Sequence, residues 1–107
     1  MNKKVLQEVL ERPQICARRD ERTCDGRITI EHVFGRKKEA EWNCILLCEK
    51  HHSVGAWQND GLLNKQMNRF FAYQQATDAM IMRTYPKTHK SVLQDKKWLE
   101  LIYKNLL

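Results

Sequence analysis

The chain has 107 residues, of which 42% are hydrophobic and 30% are charged, so it suits one globular domain and is too apolar to be disordered. Its net charge of +6 and isoelectric point near 9.3 favour a polyanionic partner, most simply nucleic acid, although ordinary solubility explains them equally well. No apolar run is long enough for a signal peptide or a membrane span, which predicts a protein of the reducing cytoplasm. In that compartment four cysteines indicate metal binding, and the alternative is a disulfide-bonded secreted protein.

The first half of the chain predicts one helix followed by a β-hairpin. Apolar residues at i, i+1, i+4 and i+5 indicate an amphipathic helix over residues 3–11, which ends before Pro13. After the Asp25-Gly26 turn, alternating apolar residues predict a strand over residues 28–33. The apolar run 44–47 is then the second strand of the hairpin.

Four helices are predicted after the second strand. They run from His51 or His52 to about Gln58, over residues 62–75, from the N-cap Thr77 to just before Pro86, and over residues 91–106. In the last helix the stripe predicted to face the core is Trp98, Ile102 and Leu106, widened by Leu99 and Tyr103. The whole chain therefore predicts a single α+β domain over residues 1–107, in which a hairpin is embedded in helices.

The cysteines predict a structural zinc site. Cys48 and His51 are separated by two residues, a spacing that lets both side chains converge on one tetrahedral ion. Cys16 and Cys24 are the natural second pair, although seven residues separate them instead of the usual two to four. The alternatives are unligated buried thiols, or a ligand set that includes Cys44, a residue of the apolar strand where cysteine often acts as a small hydrophobe. Zinc would tie the charged loop between Cys16 and Cys24 to the hairpin and add folding energy that a small core lacks.

Four polar residues form a second candidate site, namely Glu31, His32, Asn43 and His52. If His51 ligates zinc, His52 points elsewhere, because successive helical residues diverge by about 100°. A neutral imidazole can deprotonate water, and a hard divalent ion can stabilise the charge that builds up on a scissile phosphate. An asparagine can hold a loop so that the base is oriented by hydrogen bonds. Each residue taken singly also has an ordinary structural explanation.

The order and spacing of these residues resemble the HNH (ββα-metal) nucleases. The motifs that carry the resemblance are Glu31-His32, Asn43 and Leu47-Cys48-x-x-His51-His52. The segment Gly-Arg-Ile-Thr-x-Glu-His is similar to phage and prophage HNH proteins, and the match covers about residues 16–56. The resemblance implies a ββα-metal core over about residues 16–58, stapled by zinc and wrapped by N- and C-terminal helices. It also implies a DNA endonuclease of a bacterial or phage-infected cell.

The resemblance further implies a role for each matched residue. His32 is the general base that activates water, Asn43 orients the hairpin loop and His32, and Glu31 and His52 ligate the catalytic ion. That ion is expected to be Mg²⁺ or Mn²⁺, with Ni²⁺ or Zn²⁺ as alternatives, since Ala56 stands where some members carry a further ligand. The residues that match the structural zinc cluster of the family are Cys16, Cys24, Cys48 and His51, with His51 in place of the commoner cysteine.

Basic residues near the first strand are candidate DNA contacts. Arg27 lies on the strand, and Arg36, Lys37 and Lys38 follow it. Contacts of this kind bind phosphates and read no sequence, which predicts cleavage with little base specificity; the alternative is a solvated charged loop. One active site cuts one strand, so double-strand cleavage would need a homodimer or a partner protein. The competing functional hypothesis is a non-catalytic, zinc-stapled module that binds nucleic acid or protein.

Overall fold

The structure, a computed structural model, describes residues 3–19, 24–35, 40–52 and 61–104, and in the last range the side chains from residue 65 onward. Its elements in chain order are helix α1 (Lys3–Glu11), strands β1 (Ile28–His32) and β2 (Cys44–Cys48), and helices α2 (Gly61–Gln74), α3 (Asp78–Thr84) and α4 (His89–Tyr103). A 3-10 turn at Glu41–Asn43 leads into β2, and residues 49–52 are helical directly after it. The predicted α+β class is confirmed.

The two strands form an antiparallel sheet whose register decides which side chains share a face. Thr29 lies opposite Leu47, and Glu31 lies opposite Ile45. Because successive side chains of a strand alternate between the two faces, Thr29 and Glu31 share one face. His32, one residue later, belongs to the other face.

Strand β2 is the centre of the hydrophobic core. All five of its residues are buried, which explains why the strand is an unbroken apolar run in the sequence. One face joins α1 in a small cluster of Val5, Val9, Cys44 and Leu46. The other face joins the main core, whose largest buried members include Trp42, Phe70, Tyr73, Ile81 and Leu99. Each buried large apolar side chain contributes about 1.5–3 kcal/mol, so packing on both faces holds the hairpin between α1 and the C-terminal helices.

Helix α4 buries only part of the predicted face. Leu99 and Tyr103 are buried, whereas Trp98 and Ile102 are 48% and 38% exposed; Leu106 lies outside the described residues. The buried stripe is rotated by one residue, or about 100° around the helix axis. Its position is set by α2, since the Tyr103 ring packs on a phenylalanine of α2 with the ring centroids 5.8 Å apart. The sequence pattern includes both sets because two overlapping apolar faces lie side by side on this helix, and only the partner helix selects one.

The helix boundaries agree with the sequence where a local cap defines them. Thr77 caps α3 as predicted, since its hydroxyl accepts the Met80 backbone N–H at 3.2 Å. Helix α4 begins at His89, two residues before the predicted start. The helix after β2 starts at residue 49, directly at the end of the strand. Its predicted end near Gln58 lies outside the described residues. Among the described residues, no helix combines the length and the apolar character that a membrane span requires.

A polar network joins α2 to α4. The Arg69 guanidinium donates to both oxygens of the Asp95 carboxylate, at 3.0 and 3.1 Å, and the Tyr73 hydroxyl donates to the same carboxylate at 2.7 Å. Burial and the adjacent Asp95 carboxylate together raise the pKa of Tyr73. Charge-assisted hydrogen bonds of this kind contribute about 1.5–3 kcal/mol each, reduced here because Arg69 and Asp95 are partly exposed. The network therefore fixes the angle at which the two helices meet.

Candidate metal centre

Four potential metal ligands from three separate segments meet at the end of β2. The ligand atoms of Cys16, Cys24, Cys48 and His51 all lie within 4.8 Å of one another. The His51 Nδ1 atom is 3.3 Å from the sulfurs of Cys16 and Cys48 and 3.7 Å from the sulfur of Cys24. Three of these residues are buried, and Cys24 is exposed. The cluster could therefore hold one metal ion.

The separations in this cluster match those of a tetrahedral zinc site. With Zn–S bonds of about 2.3 Å and Zn–N bonds of about 2.0–2.1 Å, a tetrahedron separates a sulfur from a nitrogen by about 3.5 Å. The three observed S···N distances lie within a few tenths of an ångström of that value. Three thiolates and one imidazole also form a common structural zinc set. The donor atoms and their spacing thus fit zinc.

Local structure explains how Cys16, Cys48 and His51 reach one point. Cys48 is the last residue of β2, and the backbone N–H of His51 donates to its sulfur at 3.4 Å within the first helical turn. Cys16 is brought to the same end of β2 by its neighbour, because the Ala17 backbone N–H donates to the Leu46 carbonyl at 2.7 Å. The strand end, the helix start and the segment after α1 therefore supply three of the four ligands.

The fourth ligand, Cys24, is positioned by the turn at Asp25 and Gly26. The Lys50 backbone N–H donates to the Asp25 carbonyl at 3.2 Å, which closes this turn onto the helix start. Gly26 has φ +85°, and a Cβ atom added there would lie 2.7 Å from the Glu49 Cβ. A side chain at this position would be strained by its backbone conformation and would also push the turn away from the helix. Glycine is therefore required for Cys24 to approach the other ligands.

The thiols of the metal-free cluster are unequal. Burial disfavours the Cys48 thiolate, but backbone hydrogen bonds from His51 and Asp25 outweigh burial and lower the pKa of Cys48. Desolvation and the neighbouring sulfurs of Cys16 and Cys48 raise the pKa of Cys24 to about 11. Without a cation, Cys24 therefore remains a protonated thiol near neutral pH.

Zinc uptake is accordingly expected to release protons, and its affinity should rise with pH. The affinity should rise with pH because the Cys24 thiol, which is protonated below a pH of about 11, must lose its proton when an ion binds. One displaced proton changes the apparent affinity about tenfold per pH unit, so raising the pH from about 6 to about 8 should tighten binding about 100-fold. Competition with a chromogenic chelator at the two pH values measures this effect. An affinity independent of pH would contradict it.

Cys44 lies away from this cluster. It is buried in the small cluster with α1, packed with Val5, Val9 and Leu46, and it is not among the four gathered ligands. The structure thus gives Cys44 the role of a small hydrophobe, as the sequence indicates. All four cysteines are free thiols.

Glu31 and His52 meet in a second polar site next to the first. Glu31 Oε2 lies 3.0 Å from His52 Nε2, and the two side chains are 28% and 40% exposed. His51 faces the metal-ligand cluster while His52 faces Glu31, so the adjacent histidines serve two different sites. Solvent reaches the Glu31–His52 pair, so a solvated ion can reach it as well.

Thr29 completes this second site, and the sequence reasoning missed it. His52 Nδ1 lies 2.6 Å from the Thr29 hydroxyl, which itself donates to the Leu47 carbonyl at 2.8 Å. The pattern that could have revealed Thr29 is strand periodicity, because residues i and i+2 share a face and Glu31 is two residues later. Both nitrogens of the His52 ring therefore face an oxygen atom.

His32 and Asn43 lie at the end of the hairpin. Asn43 is buried; its side-chain oxygen accepts the Phe34 backbone N–H at 2.7 Å, and its amide donates to the Gly35 carbonyl at 2.9 Å. Asn43 thus holds the turn that follows His32. The His32 Nε2 atom is buried, and within the described ranges it has no hydrogen-bond partner and no hydrogen bond or ion pair joins His32 to Glu31 or His52. The structure therefore groups Glu31 with His52 and leaves His32 apart from them.

The predicted phosphate-binding residues are only partly described. The Arg27 side chain is 92% exposed, and it donates to Glu49 Oε1 at 3.0 Å. Such an exposed pair contributes about 0–1 kcal/mol, so a phosphate could displace Glu49 easily. Arg36, Lys37 and Lys38 lie outside the described residues.

Comparison of the chain with protein families, with curated proteins and with solved structures finds no match. Similarity therefore assigns neither a family nor an activity to this protein. The case for a function depends on the geometry of the two adjacent sites.

Proposed function

We propose that the protein is a metal-dependent DNA endonuclease of the ββα-metal (HNH) type, with little sequence specificity. The observation that supports this most directly is the Glu31–His52 pair, placed by the hairpin and the following helix beside a Cys₃His cluster. A structural metal site needs no second pair of ligands. An open carboxylate–imidazole pair next to it is instead suited to a second, exchangeable ion.

We propose Zn²⁺ for the Cys₃His cluster and Mg²⁺ or Mn²⁺ for the Glu31–His52 pair. Thiolates select zinc strongly, whereas a carboxylate oxygen and one imidazole in an open site leave positions for water and substrate. A simple surface ion pair is the alternative for Glu31 and His52, and it would contribute about 0–1 kcal/mol.

The chain's own residues supply the remaining parts of phosphodiester hydrolysis. When bound, the divalent ion would stabilise the negative charge that builds up on the scissile phosphate. His32 would accept a proton from the attacking water, since its Nε2 atom has no hydrogen-bond partner among the described residues. Asn43 would hold the turn after His32 and so fix the base relative to the metal ligands. Arg27 and the basic residues after β1 would bind phosphates of the DNA backbone, in keeping with the net charge of +6.

A plasmid-nicking assay tests this proposal. The zinc-loaded protein should convert supercoiled DNA to the nicked form with added Mg²⁺, Mn²⁺ or Ni²⁺ and should be inactive in EDTA. Glu31→Gln, which removes one proposed ligand charge, should slow nicking about 100-fold, because loss of a metal contact at the phosphate costs several kcal/mol. Glu49→Gln is the matched control, since Glu49 is also a glutamate near the site but pairs with Arg27.

The second candidate is a binding module that holds nucleic acid without cutting it. The basic net charge and the Cys₃His cluster would serve such a module equally well. A protein that retards DNA on a gel but leaves the plasmid supercoiled with each of the three ions would favour this candidate and refute the nuclease.

A further inference from the structure

The side of helix α4 that faces away from the core is not used by the proposed nuclease. We infer that it is a docking surface for an acidic, amphipathic helix of a partner protein. This surface, the outer face of α4, consists of an apolar stripe and a row of lysines; its members are Trp98, Leu101, Ile102, Lys90, Lys97 and Lys104. The inference does not depend on the nuclease proposal.

The apolar stripe of the outer face is exposed to solvent. Trp98, Leu101 and Ile102 are 48%, 74% and 38% exposed, respectively. Spacings of three and four residues place their side chains next to one another along the helix. The helix packs on the core through Leu99 and Tyr103 and does not use this stripe for that purpose. Contiguous exposed apolar patches are typical of interaction sites, so the stripe predicts a partner with an apolar surface of its own.

A row of lysines borders the stripe. Lys90, Lys97 and Lys104 repeat every seven residues, so each step drifts by only about 20° around the helix, and the row extends over about 20 Å. Leu101 lies four residues after Lys97 and three before Lys104, so both lysines flank its side chain. The outer face is therefore apolar along its middle and basic along one edge.

The charge of this row is not compensated by the described part of the chain. All three lysines are exposed, and among the described residues no hydrogen bond or ion pair involves their ammonium groups, not even with Glu100, which lies three residues after Lys97. Lys96, on the inner side of the helix, differs because its ammonium donates to the Asp78 carboxylate at 3.1 Å. The outer lysines are thus available to the carboxylates of a partner.

A partner that covers the outer face needs two complementary features. It must place apolar side chains against Trp98 and Leu101, and it must carry carboxylates along one edge at the spacing of the lysine row. A helix with a leucine stripe and glutamates that repeat every seven residues has both features. Charged residues beside an apolar seam determine partner choice when helices pair, which makes an acidic helix the matching occupant.

Two other occupants match the outer face less completely. A second copy of the chain would bring an identical lysine row, and Asp95, at the opposite border of the stripe, is already bonded to Arg69 and Tyr73. DNA would bind the lysines through its phosphates, but its backbone offers no apolar surface for Leu101 and Ile102. The combination of an apolar stripe and a lysine row therefore favours an acidic protein helix.

Three synthetic helical peptides serve as probes for the zinc-loaded protein. The acidic peptide has leucine along its apolar stripe and glutamate at both borders, the basic peptide has lysine in place of glutamate, and the polar peptide has serine in place of leucine. Fluorescence anisotropy of each labelled peptide measures its binding. We expect the acidic peptide to bind saturably and the other two to bind at least about 30-fold more weakly, the effect of losing one interface hot spot.

Variants of the protein locate the binding on α4. Leu101→Ser should weaken binding of the acidic peptide about 30-fold, whereas Met82→Ser, the matched control for a residue 46% exposed on α3, should leave it unchanged. The triple variant Lys90→Glu, Lys97→Glu and Lys104→Glu should reverse the preference, so that the basic peptide binds more tightly than the acidic one. Zinc content and unfolding temperature should stay at the wild-type values, because these side chains are exposed.

Failure of the wild type to bind the acidic peptide, or binding that Leu101→Ser leaves unchanged, would overturn the inference. A wild-type dimer in analytical ultracentrifugation that Leu101→Ser dissociates would also overturn it, since a second copy would then cover the outer face. If the acidic peptide does not bind and Leu101→Ser weakens binding of duplex DNA, nucleic acid is the occupant and the inference fails. Plasmid nicking plays no part in these measurements, so their outcome is independent of the nuclease proposal.

Discussion

Replacing His32 with alanine is expected to slow plasmid nicking by about 10²- to 10⁴-fold, the usual contribution of a general base. In the proposed reaction His32 accepts the proton of the attacking water, and no other described histidine is held by the Asn43 turn. The Asn43 side chain fixes the two residues that follow the His32–Val33 step, through Phe34 and Gly35. The base is therefore held in place by a buried asparagine.

The same substitution should leave the fold intact. The buried Nε2 atom of His32 has no hydrogen-bond partner in the described part of the chain, so losing it would break no hydrogen bond there. The change would in fact remove an unsatisfied buried nitrogen, a group that typically costs about 1–3 kcal/mol. Loss of nicking with retained zinc and an unfolding temperature no lower than that of the wild type would thus separate catalysis from stability.

Two controls sharpen the His32 experiment. His89→Ala removes a histidine at the start of α4, whose Nδ1 contacts only the Pro86 carbonyl, and it should nick DNA at the wild-type rate. Free imidazole added to His32→Ala should restore part of the activity, because it can occupy the space of the missing ring and accept the proton. Wild-type nicking by His32→Ala would show that another group is the base. Failure of imidazole in a folded, DNA-binding variant would point to a structural role for His32.

Replacing Cys24 with serine is expected to abolish stoichiometric zinc binding and to destabilise the protein more than replacing Cys44. Cys24 is exposed and Cys44 is buried, so their environments alone predict the opposite order. An exposed cysteine that binds nothing can be replaced by serine with little effect on stability. The reversed order is expected because Cys24 is one of four ligands, and losing one should weaken zinc binding by about 100- to 1,000-fold.

The Cys44→Ser variant provides the matched comparison. Serine at this buried position should cost about 1–3 kcal/mol, since a hydroxyl enters the apolar cluster with α1, and zinc content should remain at about one per chain. Metal analysis after dialysis and thermal unfolding with and without a strong chelator measure both variants. A Cys24→Ser protein that keeps its zinc, or a wild type whose unfolding is unaffected by the chelator, would contradict the zinc assignment.

The large effect expected of zinc has a structural cause. The four ligands come from the segment after α1, the turn before β1, and the junction of β2 with the following helix. In the described part of the chain, these segments are also joined by backbone hydrogen bonds such as those from Ala17 and Lys50. Zinc binding is worth about 10–16 kcal/mol in small structural sites, comparable to the entire stability of a small domain. Removing the ion should therefore loosen the segment after α1 and the turn before β1, while α1 stays packed on β2.

Local patterns predicted the elements of this fold well. Period-2 and period-3.6 repeats identify α1, both strands and α2, and Thr77 marks the start of α3 because its cap is a contact within four residues. These local patterns could not decide which of two neighbouring apolar stripes of α4 is buried. Trp98 and Ile102 differ from Leu99 and Tyr103 by one position, and only the packing of α4 on α2 buries the second pair.

The candidate site shows the same contrast between what local sequence patterns predict and what tertiary packing decides. The sequence by itself determined the residue types and order of a Cys₃His set and of a Glu–His set, because spacing of two residues and strand alternation are local properties. Only the tertiary structure brought Cys16 and Cys24 to Cys48, which depends on a backbone bond at Ala17 and a positive φ at Gly26. Only the strand register placed Thr29 beside the His52 ring, and it left His32 on the opposite face from Glu31. Contacts between residues far apart in the chain depend on packing and register, which no local pattern contains.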